Sequence, residues 1–201
     1  MTNTKKIIFI RHCKAEMGGV DRERKLDEDG VIQSKSLGKK LNNLLSKEVR
    51  VYSSPFQRAT ESIEALLEFN NDIKISTSSF LEEIDHGKSD EFSKHEIIKK
   101  MWDDENFCIE GHNSQKKHFL KIKPDLDKIM SDFNSGSHDM ILVTHGNLLG
   151  IILKFYFKKT FGFNEWKKMS MPDLYILPFD ANVKDQNFIR DVDNIDKIYY
   201  I

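Results

Sequence analysis

Cysteine is scarce in this chain. Its 201 residues include only two, Cys13 and Cys108. Two cysteines outside C-x-x-C spacing cannot make a disulfide scaffold, and such usage fits a reducing, cytoplasmic setting. Proline and glycine are also sparse, at four and ten residues, so no flexible linker is visible and residues 1–201 read as one domain. An excess of charge of one sign is missing. The 31 Lys and Arg nearly balance the 32 Asp and Glu, for a net charge of −1. A chain so balanced has no global attraction to nucleic acid or to an anionic membrane, so any affinity for an anion needs a local cluster of cations. Long apolar runs are absent as well. Lys5 and Lys6 precede Ile7-Ile8-Phe9-Ile10, but Arg11 and His12 end that run well short of a signal-peptide core. No stretch approaches the roughly 18 apolar residues of a membrane span.

What is present alternates between strand-like and helix-like patterns. Ile7–Ile10 is a short continuous apolar run, as in a buried strand. Leu37, Leu41, Leu44 and Leu45 then share a helical face, and Val49–Tyr52 reads as a second strand. Ser53-Ser54-Pro55 follows, leading into a helix with Phe56, Ala59, Ile63, Leu66 and Leu67 on one side. Residues 84–112 are polar and irregular. Phe119, Ile122, Leu126, Ile129 and Phe133 have 3–4 spacing, with Pro124 expected to kink or restart that helix. Met140–Thr144 is a third strand, Leu148–Phe157 a buried helix, Leu174–Leu177 a fourth strand, and Ile198–Ile201 reads as an edge strand. Alternation of this kind predicts an α/β domain, a three-layer αβα arrangement with a mainly parallel central sheet. Ligands of such sheets bind beyond the carboxyl ends of the strands.

The residues just after those strands are unusual. Arg11 and His12 follow the first, Ser54, Pro55 and then Arg58 the second, His145 and Gly146 the third. Leu81-Glu82-Glu83-Ile84-Asp85 adds carboxylates from a loop. Guanidinium groups match phosphoryl oxygens with paired donors. A neutral imidazole can take a phosphoryl group covalently, and a carboxylic acid can protonate the leaving oxygen and later take a proton from water. A helix opening at Gly146 would add backbone N–H groups facing an anion. Together these residues form a phosphoryl-transfer apparatus that calls for no metal and no cofactor.

Ile8-Phe9-Ile10-Arg11-His12 resembles the signature strand of the histidine phosphatase superfamily, the phosphoglycerate mutase-like proteins. Ser54-Pro55-Phe56-Gln57-Arg58-Ala59-Thr60-Glu61-Ser62 resembles its S-P-x-x-R-A-x-x-[ST] segment, and Leu142-Val143-Thr144-His145-Gly146 its late V-[ST]-H-G. Asp27, Gly30 and Gln33 stand where the family reads L-[TD]-x-x-G-x-x-Q. Each motif alone is weak, but they occur in family order from residue 7 to about residue 150. The resemblance implies that His12 is the phosphorylated nucleophile. Arg11, Arg58 and His145 would hold the phosphoryl oxygens, with Gly146 beside them. Glu83 would be the proton donor, since Leu81-Glu82-Glu83-Ile84-Asp85-His86-Gly87 looks like the L-x-E-x-x-x-G of the phosphatase branch; a slip of one residue would choose Glu82 instead. It also implies a helical insertion over the site, at about residues 84–134, and a small phosphorylated molecule as substrate.

Departures from the pattern shape the alternatives. Cys13 replaces the glycine usual after the nucleophile, and Lys14-Ala15 resembles the R-H-x-x-A branch. The longer insertion and R-x-Y-G motif of the mutases are absent, which favours a phosphatase over a mutase. A non-catalytic module that binds a phosphorylated ligand is the more distant alternative. His12-Cys13 also looks superficially like a cysteine phosphatase loop, but that loop needs an arginine six residues after the cysteine, where this chain has Gly19. His86, His95, His112, His118 and His138 show no i, i+4 pairing and read as surface residues, with no metal site. Lys116, Lys117, Lys121 and Lys123 read as a solvated basic face.

Overall fold

Ile7, Ile8, Phe9 and Ile10 are fully buried, so the first strand needs partners on both edges and cover on both faces. In the computed structural model, which describes residues 5–45, 48–178, 189–191 and 198–200, it has them. Strand β1 (Lys6–Arg11) lies between β4 (Asp139–Thr144), parallel, and β5 (Asp173–Pro178), antiparallel. On the far side of β4 come β2 (Val49–Ser53) and then β3 (Ile75–Thr77), both parallel. Beyond β5, β6 (Ile189–Asp191) and β7 (Ile198–Tyr200) extend the sheet antiparallel, giving the order β3-β2-β4-β1-β5-β6-β7. The edge strand expected at Ile198–Ile201 is β7, with Ile201 outside the described residues. The short strands β3 and β6 lack any apolar run that would announce them.

Helix α1 (Glu28–Leu44) starts at Asp27, whose side chain accepts from the Gly30 N–H at 2.8 Å; a cap of this kind contributes about 1 kcal/mol. Its Leu37 and Leu41 pack with Ala59 and Ile63 of α2 (Gln57–Glu64) and with Leu66 onto Ile8, Ile10, Val51, Ile141 and Val143 of the sheet. Each fully buried Leu or Ile contributes roughly 1.5–3 kcal/mol. The alternate residues Ile7, Phe9, Met140, Leu142 and Tyr175 are buried too. Both faces of the central strands are therefore covered, which is the three-layer αβα class.

The described contacts group the chain into two compact units. The first comprises the chain up to Glu82, Ser131–His145 and the chain from Ser170 onward, and holds the whole sheet with α1 and α2. The second comprises Glu83–Met130 and Gly146–Met169. It contains α3 (Lys94–Asp103), opened by a Ser93–Glu96 capping box, most of α4 (Gln115–Ser135), α5 (Gly146–Ile151) and α6 (Phe163–Lys167). Within it, Trp102 and Phe161 meet with ring centroids 5.5 Å apart, and Gly150 admits them because a Cβ there would lie 2.5 Å from Phe161.

Two expectations are corrected here. Pro124 does not restart the helix: α4 runs through it. Pro124 and Leu120, whose carbonyl loses its N–H partner, are both exposed, so water can satisfy that oxygen. The helix expected over Leu148–Phe157 is present, as α5 continued by a π-helical turn over Ile152–Tyr156, but it is not buried throughout: burial fades after Leu153.

Candidate active site

Register brings the site together. Arg11 of β1 stands opposite Thr144 of β4, and Ser53 of β2 opposite Val143. Three parallel strands thus end at one level, and the next residues continue the ladder: the His12 N–H donates to the Thr144 carbonyl at 3.0 Å and the Ser54 N–H to the Val143 carbonyl at 2.9 Å. His12, Ser54 and His145 therefore sit side by side at the carboxyl edge. The His12 and His145 ring centroids are 5.1 Å apart, and Phe56 packs edge-on to His145 at 4.9 Å.

The hydrogen bonds of His12 decide its tautomer. Its Nδ1 is 2.6 Å from the Cys13 carbonyl, which can only accept, so Nδ1 carries the proton. Nε2 then keeps its lone pair and accepts from the Arg58 Nε–H at 3.1 Å. Burial is the main cause that pushes the His12 pKa down, to about 3, against the pull of the Cys13 carbonyl and with the help of the Arg58, Arg11 and Arg24 charges. His145, fully buried, is also held well below the ordinary histidine range, first by burial and then by His12 and the same arginines. Both imidazoles are neutral at pH 7. The Nε2 of His145 is 2.8 Å from the Ser54 hydroxyl, and its Nδ1 has no hydrogen-bond partner among the described residues.

The cations are placed by the backbone and by one acid. Arg11 donates from its Nη1 to the Ser170 carbonyl at 3.2 Å. Arg58 is 2% exposed, and besides His12 it donates to the Asp21 carbonyl at 2.5 Å and to Asp21 Oδ2 at 3.2 Å. Asp21 Oδ1 accepts from Arg24 Nε at 3.1 Å and Nη2 at 2.6 Å. Burial works to raise the Asp21 pKa, but the Arg58 and Arg24 charges hold it below the usual carboxylate range. Asp21 and Arg24 went unnoticed in the sequence because they lie in the charged run Asp21-Arg22-Glu23-Arg24-Lys25, which looks like any solvated turn.

Cys13 is buried, and burial raises its thiol to about 12, only partly offset by a hydrogen bond with Ser62. Its N–H donates to Ser62 Oγ at 2.8 Å, and that hydroxyl donates to the Arg58 carbonyl at 2.5 Å. The residue thus fixes the loop that carries His12 to α2, and its protonated thiol is a poor nucleophile at neutral pH.

Glu83 and Gly146 belong to the second unit. There the Glu83 carboxylate accepts from the backbone N–H groups of Asn147 at 3.1 Å and Leu148 at 3.0 Å, and from Asn147 Nδ2 at 3.3 Å. Glu82 instead pairs with Arg22 at 2.6 Å in the first unit. Gly146 is buried at the start of α5. Two of the histidines expected on the surface are not there: His86 and His138 are 8% and 2% exposed. Burial lowers the pKa of His86 and of His118, with the charge of Glu83 opposing in both. Isolated histidines in a polar stretch leave no periodic trace of such burial. Among the described residues no group of three or more His, Cys, Asp or Glu side chains is arranged to hold a metal, and no helix is long and apolar enough to cross a membrane.

The fold and this set of side chains define a class, and comparison with known proteins agrees. Residues 7–189 match the histidine phosphatase superfamily (branch 1), and the chain belongs to that family. No curated protein matches it by sequence. Among solved structures it resembles a mycobacterial glucosyl-3-phosphoglycerate phosphatase in complex with inorganic phosphate, at 15% identity and a TM-score of 0.68 over 94% of this chain and 96% of that one. A phosphoserine phosphatase mutant from Entamoeba histolytica in complex with phosphoserine is similar at 17% identity and a TM-score of 0.67, over 92% and 94%. A phosphoglycerate mutase from Bacillus anthracis is similar at 18% identity and a TM-score of 0.62, over 90% and 92%.

Proposed function

We propose that this protein is a phosphatase that hydrolyses a small-molecule phosphomonoester through a phosphohistidine on His12. The observation that carries the reading is the neutral His12 imidazole, with its proton fixed on Nδ1 by the Cys13 carbonyl and its Nε2 lone pair directed at Arg58. In this reading Nε2 attacks phosphorus in line with the ester oxygen. Arg11, Arg58, His145 and the N–H of Gly146 hold the phosphoryl oxygens. With the Ser54 hydroxyl donating to its Nε2, His145 would offer Nδ1–H to one of them. Glu83 protonates the leaving oxygen, then takes a proton from the water that cleaves the phosphohistidine. The guanidinium groups and the two imidazoles supply the charge and donors for the transfer, so no metal is given a role.

The glucosyl-3-phosphoglycerate and phosphoserine phosphatases among the structural neighbours support hydrolysis of a small molecule. The mutase neighbour keeps a second reading in view, transfer from His12 to a substrate hydroxyl in place of water. The test is turnover of an aryl phosphate with chelator present, comparing wild type, His12→Ala and Cys13→Ser. Hydrolysis by wild type and Cys13→Ser but not His12→Ala is expected. Wild-type turnover in His12→Ala overturns the mechanism, and isomer exchange of a phosphorylated acid without net hydrolysis gives the case to a mutase.

A further inference from the structure

The nucleophile is not free in this structure. The lone pair of His12 Nε2 is occupied by the Arg58 Nε–H at 3.1 Å. Arg58 is in turn held through its terminal nitrogens by the carbonyl and the carboxylate of Asp21. The same carboxylate takes two donors from Arg24 on its other oxygen. One small anion thus bridges two guanidinium groups, the contact a phosphoryl group makes with paired arginines.

The turn that carries Asp21 is built to let go. Residues 16–23 are exposed, with Met17 at 92% and Val20 at 60%. Gly18 and Gly19 have φ of +84° and +70°, and nothing lies within 4 Å of where a Cβ would stand. Asp21 itself is half exposed, whereas Arg58 is buried. The acid can therefore leave for water, while the arginine stays.

We propose that Asp21 is an internal stand-in for the phosphoryl group: it occupies Arg58 and Arg24 in the resting protein, and is displaced when a phosphoryl group binds. This rests on the assignment of Arg58 to the phosphoryl oxygens. Displacement turns Arg58 from His12 toward the incoming oxygens and uncovers Nε2, so the nucleophile is exposed only when its target is present. The same competition weakens the hold on inorganic phosphate, which aids release of product. Asp21 is a positioning residue, acting through Arg58.

The sign of its effect separates this role from a structural one. Loss of a merely structural contact would weaken anion binding, whereas loss of a competitor strengthens it. Calorimetric titration of the full chain with inorganic phosphate should give a Kd lower by roughly 3- to 10-fold in Asp21→Asn and Asp21→Ala than in wild type, the scale of a partly exposed charge pair. KM for an aryl phosphate should fall with it, and kcat should not rise. A second measurement needs no variant: phosphate added to wild type should speed amide exchange in residues 17–23 as Asp21 is released. Unchanged or weaker phosphate binding in variants that melt like wild type overturns the inference while the proposed function stands. So does slowed or unaltered exchange in a wild type that binds phosphate. Failure of wild type to bind phosphate at all overturns the proposed function, and this inference with it.

Discussion

His12 and His145 stay neutral inside the protein because burial and arginine charges both disfavour the imidazolium. An unfolded chain has no such constraint and takes up these protons near pH 6.5. Below that pH the unfolded state binds more protons than the native state, so stability falls as pH falls. For His12 the loss begins below 6.5 and grows until the native group itself titrates, near 3. Each such histidine contributes a slope of at most about 1.4 kcal/mol per pH unit. Urea midpoints measured from pH 7 to pH 5 should therefore drop steeply for wild type and less steeply for His12→Asn. Equal slopes would mean that native His12 takes up its proton over the same pH range as in the unfolded chain, and a shallower slope for wild type that it is already protonated in the native protein. The two thiols offer an independent check at the same scale. Cys108 is exposed, whereas Cys13 is buried with its thiol raised to about 12. Ellman's reagent at pH 8 should modify one thiol quickly in the native protein and a second only after denaturation, and rapid modification of both would contradict the buried Cys13.

Helix α1 meets the turn after α2 through Gly38, where a Cβ would lie 2.9 Å from the Ala65 backbone. Alanine there gains helix propensity of about 1 kcal/mol but must push the two segments apart, and overpacking of a core costs about 1–3 kcal/mol. Because the atoms met are backbone and cannot rotate away, Gly38→Ala should destabilise by up to about 2 kcal/mol net, read as a lower urea midpoint; a rise in stability would show that the contact yields. Backbone-to-backbone contacts of this sort are invisible in a sequence, whereas buried strands are not. Ile7–Ile10 and Met140–Thr144 are legible because both faces are covered and every position is apolar or small. Ile75–Thr77 is illegible because it is an exposed edge of three residues. The site divides in the same way. Arg11, His12, Arg58 and His145 are legible because each lies at a strand end or within a few residues of one, and register then brings those ends level. Asp21 meets Arg58, and links it to Arg24, only through the folding back of a charged loop, and no local pattern marks that event.

For the molecule as a whole, the proposed reaction divides its work between a nucleophile and an acid, and the two can be separated by the leaving group. A nitrophenolate departs without a proton, but an alkoxide of a sugar or an amino acid side chain does not. Glu83 is the better candidate for that proton because its carboxylate is aligned by N–H donors from Asn147 and Leu148, while Glu82 is engaged by Arg22. Glu83→Gln should lower the rate of attack on alkyl phosphates by about 10²–10⁴. With nitrophenyl phosphate its first step should be little affected, so the phosphorylated enzyme should accumulate as its cleavage by water slows. Glu82→Gln should leave both rates within a factor of a few, since an exposed ion pair contributes little. His12→Ala should abolish both reactions whatever the leaving group. A quenched-flow comparison of the two substrate classes across the three variants reads all of this at once. Equal losses for alkyl and aryl esters in Glu83→Gln would remove the general-acid role, and a leaving-group-dependent loss in Glu82→Gln would transfer it by one residue.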